Sequence, residues 1–214
     1  MNNCGKKHDE MKSELKERIV SVAMKAFTSK GIKGVTMDDV ASELGISKRT
    51  LYEIFKDKES LLVAGWENHE REKETFYKKI LAESENALEV ILKIYKLSIE
   101  IYNNVDKRFF DDIKKYSRVN ELIEQSREKN QRDAIAFFQG GVDQGIFRGD
   151  VNFGILNLLV REQMNFLNRA EIVCNYPIIE IYESIVFTFL RGISTAKGQK
   201  ILEEFIENYR NKNK

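Results

Sequence analysis

TMDDVASELGISKRTLYEIF, residues 36–55, reads as two short helices joined by a tight turn. Thr36 supplies a hydroxyl that can accept a free backbone N–H at a helix start. Asp38 and Asp39 then place negative charge in the first turn, where the helix dipole favours it. Val40, Ala41 and Leu44 give this helix a small apolar face, and Gly45 falls where a helix commonly ends in the left-handed conformation. Ser47 is the second N-cap. The helix that follows, Lys48 to about Phe55, buries Leu51 and Phe55 at four-residue spacing. Its opposite face carries Lys48, Arg49, Thr50 and Tyr52. Apolar groups behind and cationic or hydroxylic groups in front suit a helix presented to a DNA major groove. Many small helical proteins contain such a corner, so its flanks decide the reading.

Upstream, Leu15, Ile19, Val22, Ala23, Ala26 and Phe27 mark one face of a helix that ends near Gly31. Downstream, Lys56, Asp57, Lys58 and Glu59 open a further helix through Ser60, Leu61 and Leu62. There Lys58 and the free N–H groups can hold a phosphate. The run AFTSKGIKGVTMDDVASELGISKRTLYEIFKDKESLL resembles the N-terminal DNA-binding domain of the TetR family of transcriptional regulators. The residues that carry the resemblance are Phe27–Gly31, Gly34-Val35-Thr36, Ala41, Leu44-Gly45, Ser47, Thr50-Leu51-Tyr52, Phe55 and Lys58–Leu62, without a gap over residues 13–73. The resemblance implies that Thr36, Ser47, Thr50, Tyr52 and Lys58 hold phosphates and that Lys48 and Arg49 face bases. Ile54 stands where the family often has an aromatic residue or histidine, and it offers an apolar contact to a thymine methyl. Over the C-terminal half the resemblance is architectural only.

Composition agrees with an all-α chain: an N-terminal three-helix DNA-binding domain containing the helix-turn-helix, plus a larger C-terminal helical bundle. Of 214 residues, 42% are hydrophobic, enough for one large or two small cores. A single Pro, 12 Gly and a charged fraction of 32% suit helices with few long loops. Net charge is only +1, and residues 1–58 hold 12 Lys and Arg against 9 Asp and Glu. The case for DNA therefore rests on pattern, not on charge. Cys4 and Cys174 form no metal-ligand spacing and read as free thiols. No apolar run approaches ~20 residues and the start, MNNCGKKHDE, has no hydrophobic signal core. A cytoplasmic protein with no membrane partner is expected. Catalysis finds little support, since GxSxG, HExxH, both phosphate-loop patterns and a cysteine–histidine pair at a recognisable spacing are missing. Asp111-Asp112 and Glu203-Glu204 lie in amphipathic helices and read as solvated faces. No catalytic residue, metal site or cofactor is expected.

The domain reading is a flexible, polar tail over 1–12, the DNA-binding domain over 13–73, and an effector-binding and dimerisation domain over 74–214. A helix near 57–83 joins the two domains. Leu88, Ile91, Leu92, Tyr95, Ile99 and Tyr102 recur at helical spacing; Asp106 caps a shorter helix with Phe109, Phe110 and Ile113; a long helix follows from about 118. Gly140-Gly141 reads as a bend or a close-packing point. The helix near 151–170 is apolar almost all round. That near 177–195 has two apolar stripes, Ile178, Ile181, Ile185 and Phe189 on one and Ile179, Tyr182, Val186 and Leu190 on the other. One stripe packs inward and the other meets a second subunit, so Leu159, Ile178, Ile181, Ile185 and Phe189 are candidate dimer contacts. Resemblance to the family implies an effector pocket among the aromatics, with Tyr95, Tyr102, Phe109, Phe110, Phe138 and Phe166 as candidates; core packing is the alternative fate of each.

The whole reads as a homodimeric regulator that binds a palindromic operator in double-stranded DNA, most simply a repressor released by a small-molecule effector. The alternative is a helical metabolite-binding protein or enzyme whose N-terminal corner is only structural. A third reading is a protein–protein adaptor on the same fold.

Overall fold

The computed structural model describes the backbone of residues 3–167 and 176–212, and within it the side chains of 11–101, 104–163, 176–177 and 179–211. Cys174 and the side chains of Cys4, Tyr102, Phe166 and Ile178 lie outside the described residues. Ten helices account for the described fold: α1 (Asn3–Lys30), α2 (Met37–Leu44), α3 (Lys48–Ile54), α4 (Lys58–Ala82), α5 (Ala87–Asn104), α6 (Lys107–Ile113), α7 (Ser117–Asp143), α8 (Phe153–Leu167), α9 (Ile178–Ile193) and α10 (Ala196–Lys212). The chain is all-α, as its composition implies. Among the described residues no helix is long and apolar enough to cross a membrane.

α1 starts at Asn3, so residues 3–12, expected as a tail, are helical. Nothing between Lys6 and Leu15 breaks a helix, and once the apolar face at Ile19–Phe27 is packed, each further residue adds to an existing helix at little cost.

The chain divides into two compact units, Met1–Tyr77 with Ile101–Gln125, and Lys78–Glu100 with Ser126–Lys214. The first unit takes in α6 and the start of α7, which the sequence pattern alone assigns to the C-terminal domain. Three long-range hydrogen bonds explain this. Asp106 N–H donates to Thr28 O at 2.7 Å, Lys33 N–H to Asp112 Oδ2 at 2.9 Å, and Arg118 N–H to Glu59 Oε1 at 2.9 Å. Phe109, Ile113 and Val119 are buried in the same cluster as Ile19, Phe27, Leu51 and Leu61. These apolar faces would otherwise be left in water.

The second unit has its own core, in which Leu88, Leu92 and Tyr95 of α5 meet Phe187 and Leu190 of α9 and Leu202 and Ile206 of α10. Gly141 is its close-packing point, because a Cβ there would overlap the Phe147 ring. After α7 the chain turns at Gly145, φ 69°. A short antiparallel bridge then ties it to the α9–α10 corner: Arg148 N–H donates to Ile193 O at 2.8 Å and Thr195 N–H to Ile146 O at 3.0 Å.

Candidate nucleic-acid interface

The α2–turn–α3 unit is built by local capping. Thr36 is extended (φ −96°, ψ 164°), and its hydroxyl accepts from Asp39 N–H at 3.1 Å. Asp39 Oδ2 in turn accepts from Thr36 N–H and from the Thr36 hydroxyl, both at 2.7 Å. This reciprocal box satisfies donors that a helix start otherwise leaves free. These hydrogen bonds, the backbone one foremost, hold the Asp39 carboxyl below its usual pKa. Gly45 closes α2 in the left-handed region (φ 65°, ψ 28°), with Ile46 N–H bonded to Ala41 O at 3.0 Å. Ser47 Oγ accepts from Thr50 N–H at 3.0 Å and pairs with the Thr50 hydroxyl at 2.8 Å.

α3 buries only Leu51, with no exposed surface at all. Its other face is open: Ser47, Lys48, Arg49 and Tyr52 are exposed and Thr50 is half-buried. Lys48 Nζ bridges to Asp38 of α2 at 2.5 Å, and Arg49 Nε to Glu53 at 2.8 Å. Both cations have raised pKa values, each chiefly through the hydrogen bond to its carboxylate. Such exposed pairs add little to stability, so either cation can exchange its carboxylate for a DNA group at small cost.

The remaining expected contacts are placed less simply. Ile54 is half-buried and packs against the core, so its side chain is not offered freely to a base. Lys58, the first residue of α4, is half-buried, and its Nζ donates to Ile32 O at 3.0 Å. Burial is the main cause that lowers its pKa. The start of α4 is capped by Asp57, whose Oδ1 accepts from Ser60 N–H at 2.6 Å. Two carboxylates whose partners the sequence does not show join the site here: Asp112 on Lys33 N–H and Glu59 on Arg118 N–H.

The described aromatic candidates for an effector pocket belong to two separate cores. Phe109 and Phe110 pack edge to face in the first unit. Tyr95 and Phe138 belong to the second, where Phe138 stacks on Phe153 with centroids 5.0 Å apart. A groove of about 680 Å³ lies in the second unit and is lined by none of these rings. Ile181, Ile185 and Phe189 of α9 line it, with Leu156 and Gln163 of α8 and the Arg148–Asp150 ion pair. Leu159 points elsewhere and is 51% exposed, beside Leu158 and Ile155 on the same helix. Among the described residues no three His, Cys, Asp or Glu side chains are placed to hold a metal ion.

Residues 19–64 match the family of bacterial regulatory proteins called the tetR family. The transcriptional regulator YerO of Bacillus subtilis is 44% identical over 55 residues, 26% of this chain. That match spans only 19% of YerO's own length. The transcriptional repressor KstR2 of Mycolicibacterium smegmatis is 24% identical over 152 residues, covering 69% of this chain and 74% of that one. The crystal structure of a transcriptional regulator from Saccharomonospora viridis in complex with choline superposes with a TM-score of 0.72 at 17% identity, covering 86% of this chain and 99% of that one. At that identity the superposition speaks for the fold alone. The motif match falls on the segment whose caps, turn and exposed cations have just been described, and over residues 19–64 the chain carries a DNA-binding domain similar to that of the tetR family of bacterial regulatory proteins.

Proposed function

We propose that this protein is a sequence-specific DNA-binding regulator that acts as a homodimer, represses by occupying a palindromic operator, and is released by a small molecule. The observation that carries the DNA-binding reading is the two-sidedness of α3: Leu51 fully buried, with Lys48, Arg49 and Tyr52 open on the other side. Ser47, Thr50, Tyr52 and Thr36 are then phosphate partners, Lys48 and Arg49 base readers, and Lys58 stands where a phosphate can share its ammonium. Phosphate contacts set register, and base contacts set sequence preference. Repression needs no further chemistry, since a bound dimer excludes other proteins from the same DNA.

Selection of bound sequences from a random pool should return a two-fold symmetric site. On that site Arg49→Ala should relax preference at one base position per half-site, by about ten- to one-hundred-fold, because a guanidinium fork can hold guanine O6 and N7 together. A uniform loss of affinity with unchanged base preference would show that Arg49 does not read bases.

Dimerisation is supported by the apolar surface of α8 and α9. Ile155, Leu158 and Leu159 are exposed on α8, and Ile181, Ile185 and Phe189 line the neighbouring groove. A second copy covering this surface removes an aggregation hazard and sets the separation of two α3 helices. Light scattering at micromolar concentration should report a dimer, and Leu159→Glu with Ile185→Glu should give a folded monomer that binds only half-sites weakly. A wild-type monomer protecting the full palindrome would overturn this assembly.

The relatives' names support the last part. KstR2 is a repressor, and the Saccharomonospora viridis neighbour holds choline. A ligand that weakens operator binding here must itself be weakened by operator DNA by the same factor.

A further inference from the structure

The peptide that joins Ile32 to Lys33 is gripped at both poles. Its carbonyl oxygen accepts from Lys58 Nζ at 3.0 Å, and its N–H donates to Asp112 Oδ2 at 2.9 Å. A cation therefore sits on the negative end of the peptide dipole and an anion on the positive end, which is the stronger, charge-assisted kind of hydrogen bond at each. The two side chains come from different elements, the first residue of α4 and the buried face of α6. Asp112 is only 6% exposed, and its other oxygen takes Lys115 Nζ at 3.1 Å. The Lys33 N–H is the main cause that holds the Asp112 carboxyl below its ordinary pKa.

The gripped peptide lies in the turn that leads from α1 to the Thr36 cap of α2. Gly31, just before it, sits at φ 77°, a left-handed region that glycine enters without the steric cost a Cβ would bring. A Cβ at Gly31 would lie 2.9 Å from Arg108 Cβ and 3.4 Å from Asp112 Oδ2, so α6 seats directly on this turn. A glycine hinge next to a doubly held peptide is a soft joint fixed by two contacts.

We propose that Lys58 and Asp112 clamp the Ile32–Lys33 peptide and thereby set the orientation of the α2–α3 pair, which makes Asp112 a positioning residue for operator binding. The proposal rests on the DNA-binding reading above. It carries a sign that charge alone would reverse. Asp112 is an anion within a unit that meets polyanionic DNA, so through the field alone its removal should tighten binding. As half of a clamp, its removal should weaken binding.

The test compares wild type with Asp112→Ala, Asp112→Asn and Lys58→Met, reading operator affinity against salt and the hydrogen exchange of the Lys33 amide. Asp112→Ala should lose about tenfold in affinity, the scale of a buried hydrogen bond left unmade, with the slope of log K on log salt unchanged because no phosphate contact is lost. Asp112→Asn keeps an acceptor for Lys33 N–H and should stay within about threefold. Lys33 exchange should quicken in Asp112→Ala and in Lys58→Met, and not in Asp112→Asn. Unchanged or tighter DNA binding by folded Asp112→Ala overturns the proposal. So does Lys33 exchange at the wild-type rate in Lys58→Met, which decides the matter even if Asp112→Ala does not fold. A wild-type protein that selects no DNA sequence would sink the regulator reading, while the exchange rates would still report whether the clamp exists.

Discussion

Leu51→Ala should remove operator binding and lower the unfolding free energy by about 2–5 kcal/mol. Leu51 is fully buried, and it shares its cluster with Ile19, Phe27 and Leu61, each with no exposed surface. Walls that are themselves locked collapse little around a deleted side chain, which puts the cost in the upper part of that range. α3 has seven residues and no other buried side chain. A helix so short does not persist on its own, so losing Leu51 frees α3 from its seat even where the rest of the unit survives. Urea unfolding and a DNA titration read the two effects together. A variant that keeps both its stability within about 1 kcal/mol and its operator affinity would show that α3 is held by something other than Leu51.

Tyr95→Ala should cost the second unit about 3–5 kcal/mol, the scale for truncating a buried aromatic. The ring is 2% exposed and touches four others: Tyr182, with centroids 5.5 Å apart, Phe187 at 5.1 Å, Phe205 at 6.5 Å and Tyr209 at 5.8 Å. Its hydroxyl donates to Glu183 Oε1 at 3.1 Å. Burial first, and the Glu183 charge second, push the phenol pKa well up, so the donor keeps its proton. Tyr95→Phe should therefore cost only about 1 kcal/mol, the hydrogen bond alone. Thermal unfolding without any ligand separates this from the expectation that Tyr95 lines an effector pocket. A pocket residue can be truncated at small cost in stability and changes which ligand binds; a central core ring cannot.

The contrast between these two residues tracks what is legible in sequence. Leu51 could be placed because its helix is defined by neighbours within a few positions: Ser47 caps it, Gly45 ends the helix before, and Phe55 repeats its face. Each of those rules is local, and each is realised in the structure. Tyr95 and Phe109 read alike in sequence, as aromatics on amphipathic helices, yet they belong to different cores. Nothing in a helical period says which of two cores a stripe will meet. The seating of α6 on the α1–α2 turn was invisible for the same reason, since Lys33 and Asp112 are joined across 79 positions. In sequence Asp111-Asp112 reads as a solvated pair; Asp111 is exposed, but Asp112 is buried and bonded. One residue of register on α6 separates the two outcomes.

The division into units also fixes an order of events during synthesis. Every part of the first unit has left the ribosome soon after Gln125, whereas the core that buries Leu88, Leu92 and Tyr95 is complete only when Leu202 and Ile206 of α10 arrive. At the usual pace of translation that wait is roughly 5–20 s. Through it the nascent chain carries a finished DNA-reading head above an uncovered apolar α5, and α5 is the segment for which a chaperone has work to do.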